Sequence, residues 1–285
     1  MIAALVAGLL IFGCTTGNVG RARAPGELTA RMVLGEYTVK TFASEDEGRW
    51  EVARNGRLLL RGHGWRFHIG MMPHEDECFP AELLGKDITG NGKPDIVIFE
   101  WTGGAHACFV ARVIALDEQA GDCRLLAEID GIDSLPRFKD LDGDGVLEIV
   151  LHDMTFRYWP GCFANSPMPR VVLRWQNDKY VADARLTATP MPDSTELAAK
   201  AANIAQDPEW DRDRTGVYSC WCIPQSLFQT ALDLMYGGHE EQGWEFIRLA
   251  WTPKYPLDQA LSEELRGLLQ HSPYWRTLKR ERAGG

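Results

Sequence analysis

The sequence predicts an α+β protein in which a mainly antiparallel β domain is followed by a helical region. Two stretches, at residues 87–95 and 140–148, place clustered oxygen-bearing side chains directly before apolar, β-branched runs. Short apolar segments separated by turn residues continue to about residue 190, which is typical of antiparallel strands. Beyond that point apolar residues recur at helical spacing. We therefore expect a β domain over residues 28–190 and an α-helical region over residues 191–285.

The strongest local signal is the sequence DLDGDGVLE at residues 140–148, named here the second Asp loop. Carboxylates at alternate positions converge on one point only where the backbone wraps around it, and Gly143 and Gly145 permit the dihedral angles that this needs. Clustered carboxylates repel one another without a cation, and Ca²⁺, which takes about six to eight oxygen ligands, suits such a loop best. The predicted ligands are Asp140, Asp142, Asp144, Glu148 and the backbone carbonyl of Val146.

Residues 87–95, named the first Asp loop, repeat this pattern as DITGNGKPD before the apolar run IVIF. Neither loop is an EF-hand, because its twelfth position, Ile98 or Leu151, is not the bidentate Glu that an EF-hand needs. An acidic turn without metal is the alternative for either loop, since Asp-Gly and Asn-Gly pairs form turns readily. It weighs more for the first Asp loop, which has only two carboxylates. Its candidate ligands are Asp87, Thr89, Asn91, Asp95 and the backbone carbonyl of Lys93.

Loop-and-strand units of this kind resemble the FG-GAP or VCBS-type repeats of integrin-like β-propellers, in which calcium pins a turn between strands. The segments WTGGAHACF, FRYW and SPMPRVVLRW, followed by a helical tail, resemble a set of exported bacterial proteins that carry such repeats, over roughly residues 54–275. The resemblance implies calcium-binding loops in a propeller-like or related sheet assembly, and it implies no particular activity. About ten predicted strands are too few for a large propeller, so a small or incomplete propeller, a sandwich and a barrel stay open.

The N-terminal residues predict export. Residues 1–13 form an apolar run that is too short to span a membrane and is typical of a signal peptide. The segment IFGC resembles a bacterial lipobox, in which Cys14 would be cleaved and lipidated. We expect residues 14–27 to form a tether, and the protein to be an outer-membrane lipoprotein that faces the periplasm or the cell surface. An ordinary secretory signal or a short buried segment is the alternative.

Beyond Cys14 the chain has six cysteines. An even number of cysteines in an exported protein suggests disulfide bonds, but the sequence does not choose among the possible pairings. The candidates are Cys78, Cys108, Cys123, Cys162, Cys220 and Cys222.

Within the β domain, Asn55-Gly56 separates two strand-like segments and predicts a hairpin with a type I′ turn. Strands are expected at residues 31–42, 50–54, 57–61, 65–69, 96–101, 110–116, 123–129, 146–151, 171–175 and 180–184.

In the helical region, Asp193 and Glu196 form a capping box that predicts the start of a helix. Further helices are expected at residues 224–237, 240–251 and 257–270, each with apolar side chains on one side. The first two of these, joined at Gly237-Gly238, resemble an αα-hairpin of the tetratricopeptide type. Packing of these helices against the β domain is the simpler interpretation.

Composition and motifs restrict the possible functions. The net charge of −10 argues against a nucleic-acid partner. The sequence has no G-x-S-x-G, H-E-x-x-H or phosphate-loop motif. We expect a calcium-binding, exported binding module that acts through protein or glycan contacts without catalysis, and that meets the membrane only through its lipid anchor. The alternative is a periplasmic inhibitor or immunity-type protein directed at a lysozyme-like wall hydrolase, and a hydrolase is the less favoured third possibility.

Overall fold

The computed structural model describes residues 26–72, 78–104, 106, 109–211, 223–255, 257 and 259–284. Within these residues the strands form three four-stranded antiparallel sheets, and α-helices follow toward the C-terminus. This arrangement confirms the α+β class and the helical C-terminal region. The predicted signal peptide, nearly all of the predicted tether, and Cys14, Cys108, Cys220 and Cys222 lie outside the described residues.

Each sheet is a meander of strands that follow one another in the chain. The first sheet contains β1 (Glu27–Leu34), β2 (Tyr37–Ala43), β3 (Gly48–Arg54) and β4 (Arg57–Gly64). The second sheet contains β5 (Arg66–Ile69), β6 (Asp95–Trp101), β7 (Phe109–Asp117) and β8 (Asp122–Ile132). The third sheet contains β9 (Arg137–Lys139), β10 (Glu148–His152), β11 (Arg170–Gln176) and β12 (Lys179–Ala182). A four-stranded meander has the size of a propeller blade, but a closed propeller of about four to eight blades is not seen among the described residues.

The hairpin at Asn55-Gly56 is confirmed, because both residues have positive φ angles (49° and 82°) and the flanking strands pair directly. The single strand predicted over residues 31–42 is wrong. Gly35 has a φ of 55° and turns the chain, so that β1 and β2 pair as a hairpin. The alternating pattern continues on both sides of this short turn, so that alternation alone does not separate the two strands.

The two Asp loops occupy equivalent places in the second and third sheets. The first Asp loop leads into β6, the second strand of its sheet, and the second Asp loop leads into β10, the second strand of its own sheet. The sequence repeat is therefore a structural repeat, in which each loop enters a strand buried inside its sheet.

Strand β6 joins two hydrophobic clusters because it is buried on both faces. Ile96 and Ile98 pack with buried residues of the first sheet, such as Val39 and Val52. Val97 and Phe99 point to the opposite face, as the two-residue period of a strand requires, and join a larger cluster with the third sheet and the helices.

The described helices are α1 (Ala184–Thr187), α2 (Ser194–Ala205), α3 (Gln225–Tyr236), α4 (Glu240–Ala250), α5 (Gln259–His271) and α6 (Pro273–Gly284). The predicted start of α2 is confirmed, since the Asp193 side chain accepts hydrogen bonds from the backbone N–H groups of Thr195 and Glu196. The helices bury their apolar side chains in the same cluster as the third sheet. No helix in the described part of the chain is both long and apolar enough to cross a membrane.

Asp153 ties the third sheet to the helical region. It is 1% exposed, and its Oδ2 accepts hydrogen bonds from the hydroxyl of Tyr236 on α3, at 2.5 Å, and from the hydroxyl of Ser272 just before α6. Its Oδ1 accepts hydrogen bonds from the backbone N–H and the hydroxyl of Thr155. This buried carboxylate is therefore fully hydrogen-bonded, as buried charged groups need to be.

Asp153→Ala removes the acceptor shared by the Tyr236 and Ser272 hydroxyls and leaves both buried without it. We expect the free energy of unfolding to fall by about 2–4 kcal/mol in urea titrations. The exposed Asp46→Ala is the control and should change stability by less than about 0.5 kcal/mol. Equal stabilities of the two variants would show that Asp153 does not hold the helical region to the sheet.

Candidate metal centre

The second Asp loop is wrapped by its own side chains. Asp140 accepts hydrogen bonds from the backbone N–H of Gly143 (2.7 Å) and of Gly145 (3.1 Å). Asp144 accepts a hydrogen bond from the N–H of Val146 at 2.8 Å. Gly143 and Gly145 have φ angles of 79° and 85°, a region that favours glycine. The predicted reason for these glycines is therefore confirmed by the loop geometry.

The wrapped loop brings three carboxylates together. One oxygen from each of Asp140, Asp142 and Glu148 lies within 4.8 Å of the other two. Asp144, the fourth predicted carboxylate ligand, is not part of this group and instead turns its Oδ1 to the N–H of Val146. Three oxygen donors at this spacing are a suitable start for a Ca²⁺ site, which the remaining ligands would complete.

Glu148 is the buried member of the group. It is 0% exposed, and its Oε2 accepts a hydrogen bond from the N–H of Leu141 at 2.8 Å. Its Oε1 is also buried and has no hydrogen-bond partner among the described residues. A buried carboxylate oxygen without a donor is costly, and a hard cation relieves that cost directly. The residues present therefore fit a calcium ion bound to the carboxylate of Glu148.

The pKa of Glu148 reflects the same cost of burying a carboxylate that is only partly hydrogen-bonded. Burial raises it above its ordinary value, the hydrogen bond from Leu141 lowers it, and the charges of Asp142, Asp144 and Asp140 raise it further. Each influence that raises this pKa also favours a bound cation, because a proton and a metal ion neutralise the same charge.

The first Asp loop has the same wrapped conformation. Asp87 accepts hydrogen bonds from the N–H of Asn91 (3.1 Å) and of Gly92 (2.7 Å), and Asn91 accepts one from the N–H of Lys93 (2.8 Å). Gly90 and Gly92 have φ angles of 69° and 78°, close to those of the equivalent glycines in the second Asp loop.

The first Asp loop closes differently. Asp95 is 0% exposed, and its Oδ2 accepts hydrogen bonds from the N–H groups of Ile88 and Thr89 and from the Thr89 hydroxyl at 2.9 Å. Its Oδ1 is buried without a partner in the described part of the chain. Burial raises the pKa of Asp95 to about 6, against the lowering effect of these hydrogen bonds. Among the described residues only the second Asp loop gathers three carboxylates, so the first is the weaker metal site.

The two Asp loops contact each other. The N–H of Leu147 donates to the carbonyl of Ile88 at 2.8 Å, and a Cβ placed on Gly90 would lie 2.9 Å from Val146 Cγ2. The hydroxyl of Tyr180 donates to the carbonyl of Leu147 at 3.3 Å. The pKa of this hydroxyl is raised by burial and by the nearby charges of the two closing carboxylates, Asp95 and Glu148.

Sequence reasoning missed one residue of this centre. Arg185, on α1, donates from Nη2 to Asp142 Oδ2 at 2.6 Å. A separation of 43 residues gives no sequence signal for such a pair. Only the packing of α1 beside the loop creates it.

None of the described cysteines belongs to the three-carboxylate group of the second Asp loop. Cys78 is buried, Cys123 and Cys162 are half-buried, and no disulfide bond joins these three to one another. Burial, together with Asp122, raises the pKa of Cys123 to about 11, which makes it a poor nucleophile at neutral pH. Disulfide pairs that involve the cysteines outside the described residues stay a prediction.

Comparisons with known proteins identify one distant relative and no family. The sequence is 24% identical over 155 residues to a protein of Sinorhizobium fredii named Uncharacterized protein y4bJ. The match covers 54% of this chain, which spans about a quarter (23%) of the length of this curated relative. No family model matches the sequence, and no solved structure matches it.

Asp95→Asn should change how stability depends on pH in EDTA. Because the folded-state pKa of Asp95 is raised to about 6 from 3.8, the folded protein binds its proton more tightly than the unfolded chain. The stability that this provides is present below about pH 4 and is lost as pH rises to about 6. Asn does not ionise, so the variant should not lose this stability. Its free energy of unfolding should therefore rise relative to that of the wild type between about pH 4 and 6, by up to about 3 kcal/mol.

Urea unfolding at several pH values measures this difference. The exposed Asp46→Asn is the control and should run parallel to the wild type. A difference between Asp95→Asn and wild type that does not change with pH would contradict the prediction.

Proposed function

We propose that this protein is an exported, calcium-stabilised binding module in which the second Asp loop holds the ion. The observation that carries the proposal is the buried carboxylate of Glu148, which groups with those of Asp140 and Asp142 and keeps its Oε1 without a donor among the described residues. Within the described residues, no other group of three metal-ligating side chains has this spacing.

Two of the three proposed ligand residues also have a structural task. Asp140 holds the loop backbone through Gly143 and Gly145, so its carboxylate is already oriented. Glu148 is the first residue of β10, and an ion bound to it is thereby fixed to the third sheet. Calcium supplies positive charge that offsets the repulsion of these carboxylates, and binding to the folded state alone stabilises that state.

The proposed binding surface is aromatic. Tyr158 is 57% exposed, and its ring lies 5.9 Å from that of His106 and 5.5 Å from that of Phe163. Tyr158 also has a φ of 60°, which is uncommon for a residue with a side chain and is found more often at functional sites. Clustered aromatic rings with polar edges suit contacts with glycans or with protein side chains. The export and the lipid anchor at Cys14 belong to the same proposal.

The second candidate function is inhibition of a lysozyme-like wall hydrolase. The net charge of −10 favours it, because opposite charge accelerates association with a cationic enzyme. Such an inhibitor would act stoichiometrically, whereas a glycan-binding module would leave hydrolase activity unchanged.

Glu148→Gln should have opposite effects with and without calcium. In EDTA the variant should be as stable as the wild type or more stable, because burying an amide costs less free energy than burying a charge and the change removes the repulsion between Glu148 and the carboxylates of Asp140 and Asp142. With calcium at about a hundredfold excess over the dissociation constant, the wild type should gain about 2.7 kcal/mol and the variant little.

Thermal and urea unfolding in both buffers measure this change. Exposed Glu263→Gln, on α5, makes the same chemical change outside both Asp loops and should respond to calcium as the wild type does. Identical unfolding of wild type in calcium and in EDTA would contradict the calcium proposal.

Tyr158→Ala tests the binding surface separately. We expect the variant to lose retention on immobilised peptidoglycan fragments or on a lysozyme panel by about tenfold or more, since exposed aromatic anchors dominate such contacts. Its stabilisation by calcium should be unchanged. Leu249→Ala, which removes a similarly exposed apolar side chain on α4, is the control. Equal retention of the two variants would place the binding surface elsewhere.

A further inference from the structure

The structure points to a regulatory residue beside the proposed calcium loop. We propose that Arg185 is the resident counter-cation of the second Asp loop, and that it lowers the affinity of this loop for Ca²⁺. The inference rests on the proposed calcium site, and it concerns how the affinity of that site is set.

The contact itself is close and charged. Arg185 Nη2 lies 2.6 Å from Asp142 Oδ2, and an oxygen of Asp142 lies within 4.8 Å of ligand oxygens from both Asp140 and Glu148. The guanidinium therefore sits within several ångströms of any ion held by these three residues. Without calcium its positive charge partly neutralises the carboxylate group; with calcium, two like charges approach each other.

Arg185 is held in this place by the fold. The N–H of Ala184 donates to Glu281 Oε2 on α6 at 2.9 Å, and the hydroxyl of Thr187 accepts the N–H of Val172 on β11 at 3.1 Å. Asp183 caps the helix by accepting the N–H of Leu186 at 2.8 Å. Helix α1 is thus pinned between the third sheet and the last helix, and it presents Arg185 to the loop.

Within the described residues, no arginine or lysine pairs with a carboxylate of the first Asp loop, whose own Lys93 pairs with Asp117 instead. The position equivalent to Asp142 in this loop is Thr89, whose hydroxyl donates to Asp95. Arg185 therefore lies beside the loop that has more carboxylates. That loop attracts a free cation more strongly, so a fixed positive charge beside it changes its calcium affinity more.

The guanidinium also has an alternative place to go. An open cavity of about 500 Å³ beside α1 is lined by Arg185, by the carboxylates of Asp183 and Glu281, and by the guanidinium groups of Arg174 and Arg282. Asp183 already pairs with Arg174 at 3.0 Å. An ion that enters the loop can displace Arg185 into this open cavity, where water takes the place of Asp142 as its partner. Calcium affinity is then linked to the position of the helical region, since α6 holds α1.

The test is calcium titration by calorimetry of wild type, Arg185→Gln and Arg185→Lys, with Arg280→Gln as the control. Arg280 is exposed on α6, so its substitution changes the net charge equally without touching the loop. We expect Arg185→Gln to bind calcium about three- to tenfold more tightly, as the removal of a unit charge near a divalent ion predicts. Arg185→Lys and Arg280→Gln should remain close to wild type, and the gain of Arg185→Gln should shrink at high salt.

Each outcome decides the matter. Unchanged or weaker binding by Arg185→Gln, beside a wild type that binds, overturns the role of Arg185 and leaves the calcium site intact. If the wild type does not bind and Arg185→Gln does, the proposed function fails for the native protein while the counter-cation role stands. If neither protein binds calcium, both are overturned.

Discussion

The arrangement of this protein depends on buried carboxylate oxygens that the polypeptide does not fully satisfy. Glu148 and Asp95 close two equivalent loops, both are fully buried, and each keeps one oxygen without a hydrogen-bond donor among the described residues. Burial of this kind costs free energy unless a cation or a proton neutralises the group. Because each residue begins the strand that follows its loop, this cost is placed at the entry to two central strands, β6 and β10.

Around these carboxylates the molecule forms one connected set of contacts. The backbone hydrogen bond from Leu147 to Ile88 joins the two Asp loops, and β6 joins the first sheet to the larger hydrophobic cluster. Asp153 fixes the helical region to the third sheet, and Arg185 reaches from that side to Asp142. A cation at the second Asp loop would therefore act on an element that already contacts the other loop and the helices.

The candidate site was largely predictable, and the fold only in part. The spacing of Asp140, Asp142 and Glu148 was enough to predict that they converge, whereas Asp144 is turned to a backbone N–H. Strand β9 and helix α1 gave no periodic signal, because three or four residues are too few to show one. The turn at Gly35 was hidden by alternation that continues on both sides of it.

The sequence by itself determined the local structure: the wrap of both Asp loops, the Asn55-Gly56 hairpin and the cap at Asp193. In each case the donor and acceptor lie within a few residues, so residue type and backbone preference are sufficient. Only the tertiary structure decided which distant groups meet, such as Arg185 with Asp142 and Asp153 with Tyr236. Those contacts depend on how sheets and helices pack, and packing is set by the whole hydrophobic core rather than by any short stretch of sequence.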